Sequence, residues 1–395
     1  MEFANQPLPQ PSSSINNLIL TTELPPSGQD NSPVVFQDNS TYEGTWQDNK
    51  RHGSGILTLS NSDKYTGDFS QDKLEGKGTY IWADTNGQQY IGEWKDNKYN
   101  GKGKFIFSST KTDNHDNTEE NNNNTKYIYY EGDFVNGKKH GYGKFVNEIK
   151  NESYEGTFDD DMINGKGKYI NDLGIYDGDF IEGIQTGSAT FMSKNGDKYI
   201  GQYEHNKKCG IGEMFFVNGD YYKGEFRNDM RNGRGEYIWK KEGGKYIGEF
   251  VNDKKEGKGK LIFGNKDKYV GEFLNDKRHG KGKYIGHKGG YYDGEWNNDI
   301  KEGKGICKYR NGEKYEGDFK NDMRDGEGCY EWILGDRYIG EFKEGKIEGK
   351  GTFYWKEKIK DEFGKEKLIE NHMEGIFSNE KVQFFQKDIK IKYKK

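Results

Sequence analysis

The chain has 395 residues, of which 30% are hydrophobic, 32% charged and 15% aromatic, and its net charge at pH 7 is −5. The aromatic share excludes a wholly disordered chain, and the shortage of aliphatic residues argues against two or three thick globular cores. Near-neutrality argues against a nucleic-acid surface, which needs a basic excess on one face, and no apolar run is long enough to span a bilayer as a helix.

Residues 1–41 differ from the rest of the chain. They hold all six prolines (Pro7, Pro9, Pro11, Pro25, Pro26 and Pro33), much Ser, Asn and Gln, and no Lys or Arg. Such a stretch buries too little apolar surface to offset its ordering entropy, so a disordered tail is expected, with Val34-Val35-Phe36 beginning a capping strand. A proline-rich ligand for a partner domain is the alternative. It is not a secretion signal, since Glu2 and the missing basic residues spoil the leading region.

From Tyr42 a single pattern repeats, and Tyr246–Lys268 shows it cleanly. With the tyrosine at position zero, glycine follows at +2, an aromatic at +4, glycines at +11 and +13, and apolar residues at +15 and usually +17. Thirteen units start at Tyr42, Tyr65, Tyr90, Tyr130, Tyr154, Tyr176, Tyr199, Tyr222, Tyr246, Tyr269, Tyr292, Tyr315 and Tyr338. Every unit keeps the glycines at +2 and +11, and only the sixth lacks the glycine at +13, where Ala189 stands.

Apolar spacing of period two, with four glycines per unit, predicts strands and rules out a helix. Two strands joined by the polar stretch Val251–Glu256 make a β-hairpin, and Gly264–Lys268 turns into the next. Hairpins in series make an all-β, elongated, single-layer antiparallel meander solenoid of about 13–14 repeats. The rings at 0 and +4 are expected to lie over the bare backbone of the glycine tracks. On the other face, acids at +3 (Glu249, Glu272, Glu295) and bases at +12 (Lys258, Lys281, Lys304) should neutralise one another in solvent.

Two stretches interrupt the period. Ser108–Lys126 is a polar, asparagine-rich insertion and should loop out. Residues 356–372 are highly charged and read as a short helix or a long hairpin. A worn fourteenth unit begins at Met373, whose glycine at +2 (Gly375) and ring at +4 (Phe377) survive. The expected organisation is therefore a tail over 1–41, an array over 42–355, and a linker, degenerate repeat and basic cap over 356–395.

The pattern Tyr-x-Gly-x-Trp/Phe, six residues, then Gly-x-Gly resembles the MORN repeat, and the resemblance covers Tyr42 to Trp355. It implies an elongated β array that scaffolds other proteins. It further implies a place in a cilium, an axoneme or another cytoskeletal assembly, since these repeats stand alone with no catalytic domain or membrane span attached. The alternative it implies is a peripheral adaptor at a phospholipid membrane, or a regulatory partner of a lipid-modifying enzyme such as a phosphatidylinositol phosphate kinase.

No enzymatic constellation recurs, and no cofactor or metal is expected. The Gly-x-Gly pairs lie within strands and have no following helix to cradle phosphate. His52, His140 and His279 all occupy +10, but in units too far apart to converge on one ion, and read as turn residues. Asp159-Asp160-Asp161 lacks the ligand spacing of a calcium loop. Cys209, Cys307 and Cys329 fall at unrelated positions, so a reducing cytoplasm is the expected setting.

A single layer should leave ring surface accessible, and a partner protein segment is expected along Tyr246, Phe250, Tyr269, Phe273, Tyr292, Trp296, Tyr315 and Phe319. Lys381–Lys395, with six lysines and one aspartate, offers a weak contact to anionic lipid. Sheet edges at the array ends invite pairing with a second copy.

Overall fold

The computed structural model describes residues 3–18, 33–111, 125–378 and 381–383. The chain divides into two compact units, Met1–Lys207 and Lys208–Lys395. Both are antiparallel β-meanders in which consecutive strands pair, and the only helical pieces among the described residues are two 3-10 turns, Phe3–Asn5 and Ser13–Asn16.

Each repeat folds as anticipated, with one difference in where its turn lies. In the ninth, the strand Gly244–Val251 pairs with Lys254–Ile262, so the turn is only Asn252-Asp253. Both turn residues have positive φ (47° and 69°), the combination that matches the twist of the flanking strands. The polar stretch Val251–Glu256 is thus mostly strand, and Lys255 at +9 belongs to the sheet.

The glycines fall into columns. Gly248 faces Gly259, and Gly259 faces Gly271 of the next repeat. A Cβ on Gly259 would lie 2.4 Å from ring atoms of Tyr246, so the tyrosine lies flat on bare backbone. The glycine at +11 has another reason: the register shifts after Gly248, and Gly257 sits in the bulge at φ 57°. The sixth repeat shows what a methyl does in the column. With Ala189 opposite Gly178, the Tyr176–Phe180 rings meet at 69°, against 90° for Tyr246–Phe250.

Each flat tyrosine turns its hydroxyl to the carbonyl three residues on, as Tyr246 does to Glu249 at 3.0 Å. A buried phenol needs such a partner. Burial raises the hydroxyl pKa, to about 12 for Tyr42 and Tyr338. On the opposite face, Lys258, Lys281 and Lys304 stand across from Glu272, Glu295 and Asp318, and the last pair closes to 2.8 Å. These groups are exposed and contribute little to stability.

A further clip joins neighbouring repeats. The side chain of the second turn residue accepts from the backbone N–H at +9 of the preceding repeat: Asp253 from Arg231, Asp276 from Lys255, Asp299 from Arg278. The same turn residue returns its own N–H to that carbonyl. Each turn is thereby tied to its predecessor.

The interruptions resolve differently from one another. Ser108–Lys111 and Thr125–Lys126, the flanks of the insertion, do not loop out but continue the ladder as paired strand, and residues 112–124 lie outside the described residues. After Trp355 the chain forms the long hairpin: Lys346–Lys360 pairs with Glu366–Ser378 as far as Lys360 opposite Glu366. The worn repeat at Met373 keeps register, with Gly375 facing Gly351. Of the basic run Lys381–Lys395, only the strand backbone Lys381–Gln383 is described, so its proposed lipid contact lies outside the described residues.

The reading of 1–41 as a disordered tail is corrected by its described portions. Val34–Val35 pairs with Thr41–Tyr42, as the capping-strand expectation had it. Residues 3–18 form a strap seated on the first unit, with Ala4, Leu8 and Ile15 only 1%, 5% and 1% exposed. Few apolar residues suffice because the sheet presents a ready-made apolar floor, so the strap need not build a core of its own.

Candidate functional site

The ring-bearing face of each unit forms a track whose floor comes from positions 0 and +4. Tyr246 lies between two edge-on phenylalanines, Phe250 of its own repeat at 5.1 Å and Phe273 of the next at 5.0 Å. Tyr269 is flanked by Phe273 and Trp296, Tyr292 by Trp296 and Phe319, and Tyr315 by Phe319 and Phe342. Edge-to-face pairs of this kind add about 0.5–1.5 kcal/mol each beyond their burial.

The eight residues expected to present accessible ring surface do not. Tyr246, Phe250, Tyr269, Phe273, Tyr292, Trp296, Tyr315 and Phe319 are 0–5% exposed. A single layer achieves this because each ring has glycine beneath it, rings on both flanks and a side chain from +9 above. The named residues are the floor of the track, and the surface a partner would meet is built from +9, +15 and +17.

Position +9 is where sequence reasoning fell short. In the second unit it carries Arg231, Lys255, Arg278, Lys301 and Arg324, each over the rings. Arg278 is 4.1 Å from the Trp296 ring centre, and Arg324 is 4.8 Å from that of Tyr330. Aspartates hold the guanidinium groups in place: Arg231 Nε donates to Asp253 Oδ1 at 2.9 Å and Arg278 Nε to Asp299 Oδ1 at 2.8 Å. Burial lowers the pKa of Lys255 against a weaker upward pull from Asp276 and Asp299. The signal was available, since +9 shares the parity of +11, +13 and +15 once the strand is allowed to begin at +8.

In the first unit the equivalent positions hold the strap. Arg51 is clamped by Asp72 as Arg231 is by Asp253, and its Nη2 also donates to the Ile15 carbonyl at 3.0 Å. Lys139 Nζ donates to the carbonyls of Ala4 (2.7 Å) and Gln6 (2.8 Å), and Tyr99 Oη to that of Pro9 (2.5 Å). Asn5 Oδ1 accepts from the Ile163 N–H at 2.9 Å, and Tyr80 Oη from the Ser12 N–H at 3.3 Å. Arg51 and Lys139 are consequently 3% and 0% exposed, and burial brings the Lys139 pKa down to about 8 despite Asp161 nearby. The track thus binds, through main-chain carbonyls, a peptide that runs without helix from Gln6 to Ser12 between two 3-10 turns.

The three +10 histidines lie in strands rather than turns, because the turns are two residues long. Among the described residues one acid-and-histidine cluster gathers, His140 with Asp159 and Asp160 within 4.8 Å. It is largely exposed, and Asp160 is already paired with Lys138 at 2.7 Å.

A family model of the MORN repeat matches thirteen consecutive segments, the first at residues 42–64 and the last at 338–357. The chain belongs to the MORN-repeat family. That makes it a repeat-based interaction protein, in a family that is generally non-enzymatic. No curated protein matches it. Among solved structures, the TCP domain of SAS-4 from Drosophila melanogaster, solved with a proline-rich motif of Ana2, is 10% identical. That match covers 46% of this chain and 83% of the other at a TM-score of 0.20. A streptogramin B lyase is 9% identical over 70% of this chain and 86% of the other, at a TM-score of 0.11. At such scores neither bears on the MORN array.

Proposed function

We propose that this MORN protein is a non-enzymatic docking scaffold whose ring-floored track holds extended segments of protein partners, and that it serves in a cilium, an axoneme or another cytoskeletal assembly. One observation carries the docking part: the chain's own residues 3–18 lie on the first unit's track, held by carbonyl bonds to Arg51, Tyr99 and Lys139. The second unit repeats the floor, the cations and, at Arg231 and Arg278, their aspartate clamps, and among the described residues no segment lies on them. The cellular setting is supported by family resemblance.

The test places a photo-crosslinking residue at Arg278, on the track, or at Lys281, on the charged face, in the full-length protein in its native cell. Crosslinks to discrete proteins from position 278, recovered in the detergent-insoluble cytoskeleton, are expected. Crosslinks only from position 281 sink the docking role of the track, and recovery only with membranes sinks the cytoskeletal assignment.

A further inference from the structure

Two of the strap's three prolines, Pro9 and Pro11, fall at one particular place on the first unit. Pro9 gives its carbonyl to Tyr99 Oη, and Ser12, just beyond Pro11, gives its N–H to Tyr80 Oη. Between them stands an aromatic wall, Tyr80–Trp82–Phe105, with ring centres 4.6 and 5.4 Å apart. These are positions +15 and +17 of the second repeat and +15 of the third.

The same wall recurs ten repeats later. Tyr330–Trp332–Phe353 occupy the same positions of the twelfth and thirteenth repeats, with ring centres 4.8 and 5.4 Å apart. There the space taken by the strap in the first unit is an open hollow of about 440 Å³, walled also by Arg324, Ile347 and Phe377. The exposures follow: Tyr80 and Phe105 are 1% and 0% exposed, whereas Tyr330 is 9% exposed and Phe353 only partly buried. Besides Met373 at the place of Tyr130, two substitutions bear on what the hollow accepts. Ile347 stands where Tyr99 offers its hydroxyl, and Arg324 where Leu74 offers only bulk.

We propose that the hollow at Trp332, Ile347 and Phe353 docks an extended, proline-bearing segment of a partner protein, seated as Pro9–Ser12 is seated on the first unit. This rests on the reading of the track as a peptide-docking surface and names the segment it takes. The wall accepts a proline ring by stacking, which is cheap in conformational entropy because the residue is already restricted. Arg324 supplies the cation for a main-chain carbonyl, as Arg51 does for Ile15, and favours an acidic residue alongside.

The probe is a fluorescein-labelled synthetic peptide of residues 7–16, titrated by anisotropy against the full-length protein. One peptide per chain is expected. Trp332→Ala should weaken binding about tenfold or more, as loss of a central aromatic contact does. Ile347→Tyr, which recreates the hydroxyl that meets Pro9, should tighten it several-fold, and a peptide with both Pro9 and Pro11 replaced by alanine should bind at least several-fold more weakly. An unchanged melting temperature shows that Trp332→Ala folds, and the tightening by Ile347→Tyr cannot arise from misfolding. Binding that ignores both substitutions, or that proceeds only by displacing the chain's own strap, overturns the assignment while leaving the docking track intact. No binding at all also overturns it, and the photo-crosslinks from Arg278 then decide independently whether the track docks any partner.

Discussion

The first unit's track is covered and the second's is open, although both are built from the same repeat. Under the strap, +9 holds Arg51, Leu74, Tyr99, Lys139 and Ile163, which are 0–3% exposed. In the second unit it holds Lys208, Arg231, Lys255, Arg278, Lys301 and Arg324, then Ile347 in the thirteenth repeat, all only partly buried. The difference teaches that the invariant positions make the floor and +9 decides what the floor accepts. Where +9 is mixed, the chain closes the track with its own residues. Where +9 is cationic, from Arg231 to Arg324, the donors stand ready for a partner's carbonyls or carboxylates.

The comparison breaks most visibly if the strap is expelled. Leu8→Asp with Ile15→Asp in the full-length protein puts two carboxylates where aliphatic side chains are buried, at a cost of about 4 kcal/mol or more. Hydrogen exchange should then accelerate at the amide of Ile163, which donates to Asn5 of the strap. The amides of the second unit, Arg278 among them, should be unchanged. Protection that persists in the first unit would mean the strap is not what closes that track.

A pH titration sharpens the contrast. Lys139 has a folded pKa of about 8, below the ordinary lysine value of 10.5. Between those values the unfolded chain holds more protons than the folded one, so stability rises with pH, by up to about 1.4 kcal/mol per unit. Chemical denaturation of the first unit from pH 8 to pH 9.5 should show a gain of about 2 kcal/mol. Lys139→Met should flatten that rise. Above pH 10 the sign reverses, because the buried tyrosines have raised pKa values and their contribution is lost as the unfolded chain ionises. A first unit whose stability is flat from pH 8 to 9.5 with Lys139 in place contradicts the buried-ammonium account.

The smallest effect concerns what the two tracks share. Tyr246→Phe removes only the hydroxyl that reaches the Glu249 carbonyl, and Tyr130→Phe the one that reaches Asp133. Each should cost about 1 kcal/mol in denaturant midpoints, and the two costs should agree. A large disagreement would mean the floors are not equivalent.

The hairpins, the glycine columns and the worn repeat at Met373 were legible because strand side chains alternate and glycine beside tyrosine leaves few arrangements. The lining of the track was not, because Asn252-Asp253 is a tighter turn than six polar residues suggest. Counting Lys255 as loop hid its place above Tyr246. The strap was illegible for a different reason. Ala4, Leu8 and Ile15 are too sparse to bury one another, and what buries them lies up to about 160 residues away, as the bond between Asn5 and Ile163 shows. Composition reports what a segment does alone, and this one is not alone.

The aspartate that ties a turn to the +9 backbone of its predecessor, present from Asp229 to Asp322, has a consequence for how such a chain changes length. Joints at Asp229, Asp253, Asp276, Asp299 and Asp322 are of one chemical kind, so removing or duplicating whole repeats among them leaves each remaining joint satisfied. A cut in mid-repeat strands a carboxylate on one side and an N–H on the other. The array can be shortened or extended in steps of one hairpin, and the ladder of cations on it can be re-spaced without rebuilding the sheet.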